Sequence, residues 1–215
     1  MPSFQQQRDT LERWQRFLGR ERVDSGLALT FDDGPDPDAT PAVLDALDAA
    51  GAKATFFMVG EQALEHRALA REVIDRGHEV GLHGYEHVEH DSLGGRVKDD
   101  LARGLGTLEV ATGRRPALFR PPYGRFSEHS YEACRALRLE PVYWSGWGGD
   151  WEPVPAERVA DIATRDLSDG TILLLHDSAR YAYRSSAQAT AQALPAILAA
   201  AAERGLEARP LRSSV

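Results

Sequence analysis

The sequence predicts an α/β domain on a mainly parallel sheet, curled into a closed or nearly closed barrel, with an open doubly wound sheet as the second reading. Two observations carry this. Short apolar runs of strand length alternate with stretches of helical period, the pattern of repeated βαβ units. Polar residues then recur just beyond those runs: Asp32 and Asp33, His83, Arg120, Asp150 and His176. In parallel α/β folds the C-terminal strand ends meet on one face and build the active site. Apolar strands that repeatedly end in such residues are hard to explain by packing alone.

The elements follow in order. GLALTF (26–31) is a strand that ends in the turn cluster DDGPDPDATP, rich in the residues that favour turns. Residues 41–50 place apolar side chains at 43, 44 and 47, a helical period, and Gly51 is the stop signal. ATFFMVG (54–60) is a compact strand, 63–76 a helix closed by Gly77, and HEVGLH (78–83) a strand. Residues 97–112 form a helix, ALFRPP (117–122) a strand broken by its prolines, and 127–137 a helix. PVYWSG (141–146) is a strand, 156–167 a helix, TILLLH (171–176) a strand, and 189–204 a helix ended by Gly205.

Composition narrows the function. The chain has 215 residues, enough for one domain that buries roughly 70% of its unfolded surface. A single cysteine, Cys134, excludes an intrachain disulfide framework and a cysteine-based zinc cluster. The net charge of −8 argues against a nucleic-acid partner. The first 25 residues lack the apolar core of a secretory signal. Phe4, Leu11, Trp14 and Leu18 recur at near-helical spacing there, so 1–25 reads as an amphipathic arm ahead of a single domain over 26–215. The uncharged stretch 185–202 approaches bilayer length, but its Gln, Ser, Thr, Pro and Ala content reads as a soluble Ala-rich helix. No membrane span and a cytoplasmic location are expected, or secretion if a leader has been removed.

The chemistry lies in five segments. FDDGPD (31–36) alone reads as an acidic turn, yet adjacent carboxylates can divide their roles, one on a metal and one free as a base. In HGYEHVEH (83–90), His83 and His87 are four apart and share one face on a helical turn. His87 and His90 could also pair, but His83 follows its strand directly. His90 therefore reads as an exposed loop residue, and His66, His78 and His129 receive no function. Two imidazoles and a carboxylate leave coordination open for water and substrate, a set that Asp33, His83 and His87 can supply. Asp32 and His176 are then the candidate base and acid. Arg120, in RPPYG (120–124), can lower the pKa of a neighbouring carboxylate, and a backbone N–H near Tyr123 can serve an oxyanion. In YWSGWGGDW (143–151), Trp144 reads as core, Trp147 and Trp151 suit a flat sugar ring, and Asp150 can orient a catalytic histidine.

TFDDGP (30–35), HGYEH (83–87), RPPY (120–123), DW (150–151) and LLLHD (173–177), in this order, resemble the five motifs of the polysaccharide deacetylase family, carbohydrate esterase family 4 or the NodB-homology domain. The resemblance runs from about Gly26 to Leu211. It implies a distorted (β/α) barrel of fewer than eight units and one divalent metal, most often Zn²⁺, with Co²⁺, Ni²⁺ or Mn²⁺ as substitutes. It implies Asp32 as base, Asp33, His83 and His87 as metal ligands, and Arg120 as the arginine that holds the base. Tyr123 falls where a backbone N–H binds the oxyanion, Asp150 where an acid tunes the catalytic histidine, Leu174 at the acetyl wall, and His176 at the general acid. The implied reaction removes N-acetyl groups from a saccharide that contains N-acetylglucosamine. An O-acetyl esterase or non-sugar amidase on the same scaffold is the alternative, and a non-catalytic saccharide-binding module a further one. Two positions depart from the family pattern. Gly84 stands where Ser or Thr usually follows the first histidine. Trp147 stands where an acid often lies three residues before Asp150.

Overall fold

The computed structural model describes residues 19–212, so the helical pattern of Phe4, Leu11, Trp14 and Leu18 lies outside the described residues. The strands are β1 (Leu27–Asp32), β2 (Thr55–Met58), β3 (Glu79–Leu82), β4 (Leu118–Phe119), β5 (Glu140–Pro141), β6 (Gly146–Trp147), β7 (Thr171–His176) and β8 (Ala208–Arg209). The helices are α1 (Thr40–Ala49), α2 (Gly60–Glu65), α3 (Arg67–Asp75), α4 (His90–Leu93), α5 (Val97–Thr112), α6 (Glu128–Leu137), α7 (Ala156–Arg165) and α8 (Gln188–Glu203). The sheet order is β5-β4-β3-β2-β1-β7-β6, with β8 beside the start of β1. All of these pairings are parallel.

The sheet curls because its two edges are consecutive in the chain. Only residues 142–145 separate β5 on one edge from β6 on the other. The predicted strand over 141–146 is therefore two short strands, since this segment has to cross the gap between the edges. Ser145 N–H donates to Ile172 O on the far side. The chain just before β1 straps the same seam: Arg20 pairs with Val142 and Arg22 with Thr171. Residues 19–23 thus belong to the barrel wall, although the sequence reading places them in the arm.

Side-chain parity sorts the strands. Leu27, Leu29 and Phe31 of β1, with Leu173 and Leu175 of β7, face the helices in the larger core. Ala28 and Ile172 face inward with Phe57, Leu118, Val142 and Leu211. Because strand residues alternate between faces, Thr30 and Asp32 share the inner face with Ala28, and Leu174 and His176 share it with Ile172.

The helices obey ordinary terminal rules. Ser127 caps α6 through a reciprocal Ser127–Ser130 box, and Gly113 closes α5 in the left-handed conformation. The predicted helix over 63–76 is broken in two at His66, whose φ of −115° and ψ of 49° leave helical space. Among the described residues no helix is long and apolar enough to cross a membrane.

Candidate active site

Adjacent residues of an extended strand point to opposite faces, so paired carboxylates at a strand end should diverge. Asp32 ends β1 facing inward. Asp33 takes a φ of 80°, a conformation Asp tolerates better than most residues. This turn brings both carboxyls to one cleft of about 540 Å³, lined also by His83, His87, Tyr123, Trp144, Trp151, Leu174 and His176.

His83 follows β3 directly. Its backbone N–H donates to Met58 O at 2.8 Å, and its Nδ1 donates to Arg120 O at 2.7 Å. That bond fixes the tautomer and leaves the Nε2 lone pair facing the cleft. Asp33 Oδ1 lies 3.4 Å from His83 Nε2 and 3.1 Å from His87 Nε2. One ligand atom from each of the three lies within 4.8 Å of the others. Asp33 Oδ1 is buried without a hydrogen-bond partner. Burial works to raise the pKa of Asp33, but the two imidazoles outweigh it and hold the carboxyl well below the usual range. An ionised, unpaired carboxylate oxygen beside two imidazole nitrogens suits a divalent cation. The turn that carries His87 is an irregular bend rather than a helix. It is shaped by Gly84 at φ 83°, so spacing identified the pair while the geometry behind it differs.

Arg120 is completely buried inside the barrel. Its Nη1 donates to Asp32 Oδ1 at 2.7 Å and to Thr30 Oγ1 at 2.8 Å. Its Nη2 donates to Tyr143 O at 2.9 Å, and the guanidinium lies 4.2 Å from the Phe57 ring centre. Removing one partner of such a buried pair typically costs about 3–5 kcal/mol, because the other charge is left uncompensated. Asp32 is thereby held in one orientation.

On β7, beside β1, His176 Nδ1 donates to Asp150 Oδ1 at 2.9 Å, and the His176 backbone N–H donates to Asp150 Oδ2 at 2.8 Å. Thr190 Oγ1 also donates to Asp150 Oδ2, at 2.7 Å. Burial alone would lower the His176 pKa, but the Asp150 carboxylate outweighs it and pushes the imidazole up to about 9. Asp150 is buried, which favours its neutral form, yet His176 above all keeps it below the usual carboxylate range. The edge of Trp151 meets the His176 ring at 5.9 Å between centres.

Tyr123 occupies left-handed space at φ 57°, a strained conformation of the kind that clusters at functional sites. Leu174 and Trp151 line the cleft. Trp147 is 50% exposed and is not part of the lining. Trp144, read from the sequence as core, is part of the lining. His90 corrects another expectation, for it is fully buried rather than exposed. It stacks on Phe119 and lies 3.2 Å from Ser130 Oγ. Burial pushes its pKa down to about 4. Thr30, Asp100, Tyr181, Thr190 and Arg184, whose Nη1 donates to Thr190 Oγ1 at 2.7 Å beside Asp150, are absent from the sequence expectations. Only Thr30 carried a usable signal, its parity with Asp32 on β1.

A model of the polysaccharide deacetylase family matches residues 19–142, more than half of the chain. The chain belongs to the polysaccharide deacetylase family. Among these deacetylases, the chitooligosaccharide deacetylase of Azorhizobium caulinodans is 33% identical over 195 residues, spanning 87% of this chain and 93% of its own. A peptidoglycan-N-acetylglucosamine deacetylase of Bacillus cereus is 35% identical over 155 residues, spanning 70% of this chain and 72% of its own. The family 4 carbohydrate esterase from Streptomyces lividans, solved with acetate, superposes with a TM-score of 0.77 at 31% identity, covering 86% of this chain and 92% of its own.

Proposed function

We propose that this polysaccharide deacetylase is a metal-dependent hydrolase that removes the N-acetyl group from N-acetylglucosamine units of a saccharide. The observation that carries the reading is the convergence in one cleft of three differently prepared groups: the Asp33–His83–His87 triad, the Arg120-bound Asp32, and the Asp150-bound His176. The substrate class is supported by the relatives named above, which are chitooligosaccharide and peptidoglycan deacetylases.

Asp33, His83 and His87 would hold the cation, and Zn²⁺ suits two imidazoles and a carboxylate. When bound, the ion supplies Lewis acidity toward the acetyl carbonyl and makes water a better nucleophile near neutral pH. Asp32 removes a proton from the attacking water; the ion pair to Arg120 keeps it from swinging away. Tyr123 lines the cleft, and its backbone N–H would serve the charge that develops on the acetyl oxygen. His176 delivers a proton to the departing amine, since an amine leaves poorly as an anion. Asp150 fixes which imidazole nitrogen faces the cleft and stabilises the imidazolium before transfer. Leu174 closes an apolar wall for the acetyl methyl group, and Trp151 offers an indole to the sugar. The products are acetate and a free amino sugar.

The test is acetate release by the full chain loaded with Zn²⁺, Co²⁺, Ni²⁺ or Mn²⁺. The substrates are N-acetylglucosamine oligomers, acetylated xylan and small acetamides, with Asp32→Asn run alongside. The expected result is release from the oligomers that falls at least about 100-fold in Asp32→Asn, within the range for loss of general base catalysis, with metal content retained. Release confined to acetylated xylan or to non-sugar amides would replace the substrate assignment. Oligomer binding with no release from any substrate would replace the enzymatic one.

A further inference from the structure

His83 and His87 are held in different ways. His83 has its backbone in the sheet and its ring on the Arg120 carbonyl. His87 lies four residues out along an irregular turn, and its Nδ1 is buried without a hydrogen-bond partner. A metal-binding histidine usually donates that nitrogen to a carboxylate, a carbonyl or water, which sets ring orientation and affinity. For His87 that anchor is missing, so its placement must come from elsewhere.

Two contacts provide it. The first acts on the backbone of the turn. Asp100, in the first turn of α5, accepts from Tyr85 N–H at 3.0 Å and from Glu86 N–H at 3.2 Å. These are the two amides immediately before His87. The carbonyls on the other side of the same peptides are taken as well, since Gly84 O and Tyr85 O accept from Gly60 and Glu61 N–H at 2.9 and 3.0 Å. The turn is thus clamped between the start of α2 and a side chain of α5. The clamp occupies the space where residue 84 would carry a side chain: a Cβ there would lie 2.8 Å from Glu86 O and 3.3 Å from Asp100 Oδ2. The second contact acts on the ring. Tyr181 stacks on the His87 imidazole at 4.1 Å between centres and 12° between planes, while Tyr123 meets it edge-on at 4.5 Å. Tyr181 is itself fixed, because its hydroxyl donates to Glu61 Oε1 at 2.7 Å.

We propose that Asp100 and Tyr181 are positioning residues that set the metal affinity of the centre by holding His87, Asp100 through the peptide turn and Tyr181 through the ring. The proposal rests on the reading of Asp33, His83 and His87 as metal ligands. Asp100 does by carboxylate-to-amide bonding, and Tyr181 by stacking, what a hydrogen bond at Nδ1 does for an ordinary ligand histidine. An outer partner of that kind changes metal affinity by about 10–100-fold when lost.

The experiment measures the Zn²⁺ dissociation constant of the metal-stripped full chain by competition with a chromogenic chelator. The wild type is compared with Asp100→Ala, Asp100→Asn, Tyr181→Leu, Tyr181→Phe and His87→Ala. Thermal unfolding of each stripped variant checks that it is folded. The expected result is a dissociation constant raised about 10–100-fold in Asp100→Ala and in Tyr181→Leu. Tyr181→Phe keeps the stacked ring and stays nearer the wild type than Tyr181→Leu. Asp100→Asn keeps one acceptor oxygen and falls between the wild type and Asp100→Ala. In both weakened variants, acetate release recovers as Zn²⁺ is raised, which a general loss of fold would not allow. If Asp100→Ala is unstable, Asp100→Asn and the Tyr181 pair carry the test. Wild-type affinity in folded Asp100 and Tyr181 variants, with binding lost in His87→Ala, overturns this proposal alone. Full Zn²⁺ binding in His87→Ala overturns the ligand reading beneath it.

Discussion

The side chains of the cleft work as prepared pairs. Asp32 is set by Arg120, and the buried guanidinium has further acceptors in Tyr143 O and Val142 O. It cannot turn toward solvent without abandoning several bonds. His176 is set by Asp150, which raises its pKa to about 9 against the pull of burial. A group with a raised pKa is protonated below that value, so His176 can act as acid across neutral pH and loses this capacity as pH rises through about 9. For folding, the raised His176 contributes stability that is full below the ordinary imidazole pKa and is lost as pH rises through about 9, whereas the lowered Asp150 contributes stability that is lost as pH falls into the carboxylate range. Asp150→Asn removes the largest raising influence. Its pH profile for acetate release should therefore show the alkaline decline at lower pH than the wild type, with reduced turnover at neutrality. An unmoved alkaline limb would detach Asp150 from the proton delivered to the amine.

At the scale of the elements, the strands and helices were legible because both their periods and their stop signals lie in neighbouring residues. TILLLH (171–176) became β7 and residues 97–112 became α5, since continuous buried runs and 3.6-residue spacing are local properties. The site was legible to the extent that its residues stand at strand ends. Asp32, Arg120 and His176 owe their inward direction to the parity of Ala28, Leu118 and Ile172. Long-range partners were not legible. Asp100 reaches the 84–87 turn, and Tyr181 reaches His87, only through the packing of α5 and of the loop after β7. Neither residue carries a local mark of that. His90 was misread for the same reason, because only the tertiary fold lays Phe119 and Ser130 around it. The turn itself yields a prediction. A left-handed backbone costs a non-glycine residue about 1–2 kcal/mol, and residue 84 has φ 83° with Glu86 O crowding the Cβ position. Gly84→Ser should thus weaken Zn²⁺ binding and slow acetate release, even though Ser resembles the usual family pattern. Chelator competition and acetate assays check this, and tighter binding would contradict it.

At the scale of the molecule, the barrel is closed by the strap and the short crossing as much as by its long strands. Arg20 N–H donates to Pro141 O at 3.0 Å, Tyr143 N–H to Arg20 O at 2.7 Å, and Val23 N–H to Gly170 O at 2.9 Å. Deleting residues 1–24 removes these three bonds, each worth about 1 kcal/mol net. At about 2–4 °C per kcal/mol for a chain of this size, the melting temperature should fall by roughly 6–12 °C. Deletion of 1–18 leaves all three in place and is the reference in the same calorimetric scan; equal melting of the two forms would show that the strap adds nothing. The pairing of β1 with β7 has one last consequence. Asp32 and His176 are partners in that ladder, so the proposed base and the proposed acid stand on one rung of adjacent strands, about one inter-strand spacing of 4.8 Å apart along the backbone. The span of the relay is therefore dictated by peptide hydrogen bonding rather than by side-chain fit. The wall around the substrate can be rebuilt for different sugars without altering the stroke length of the chemistry.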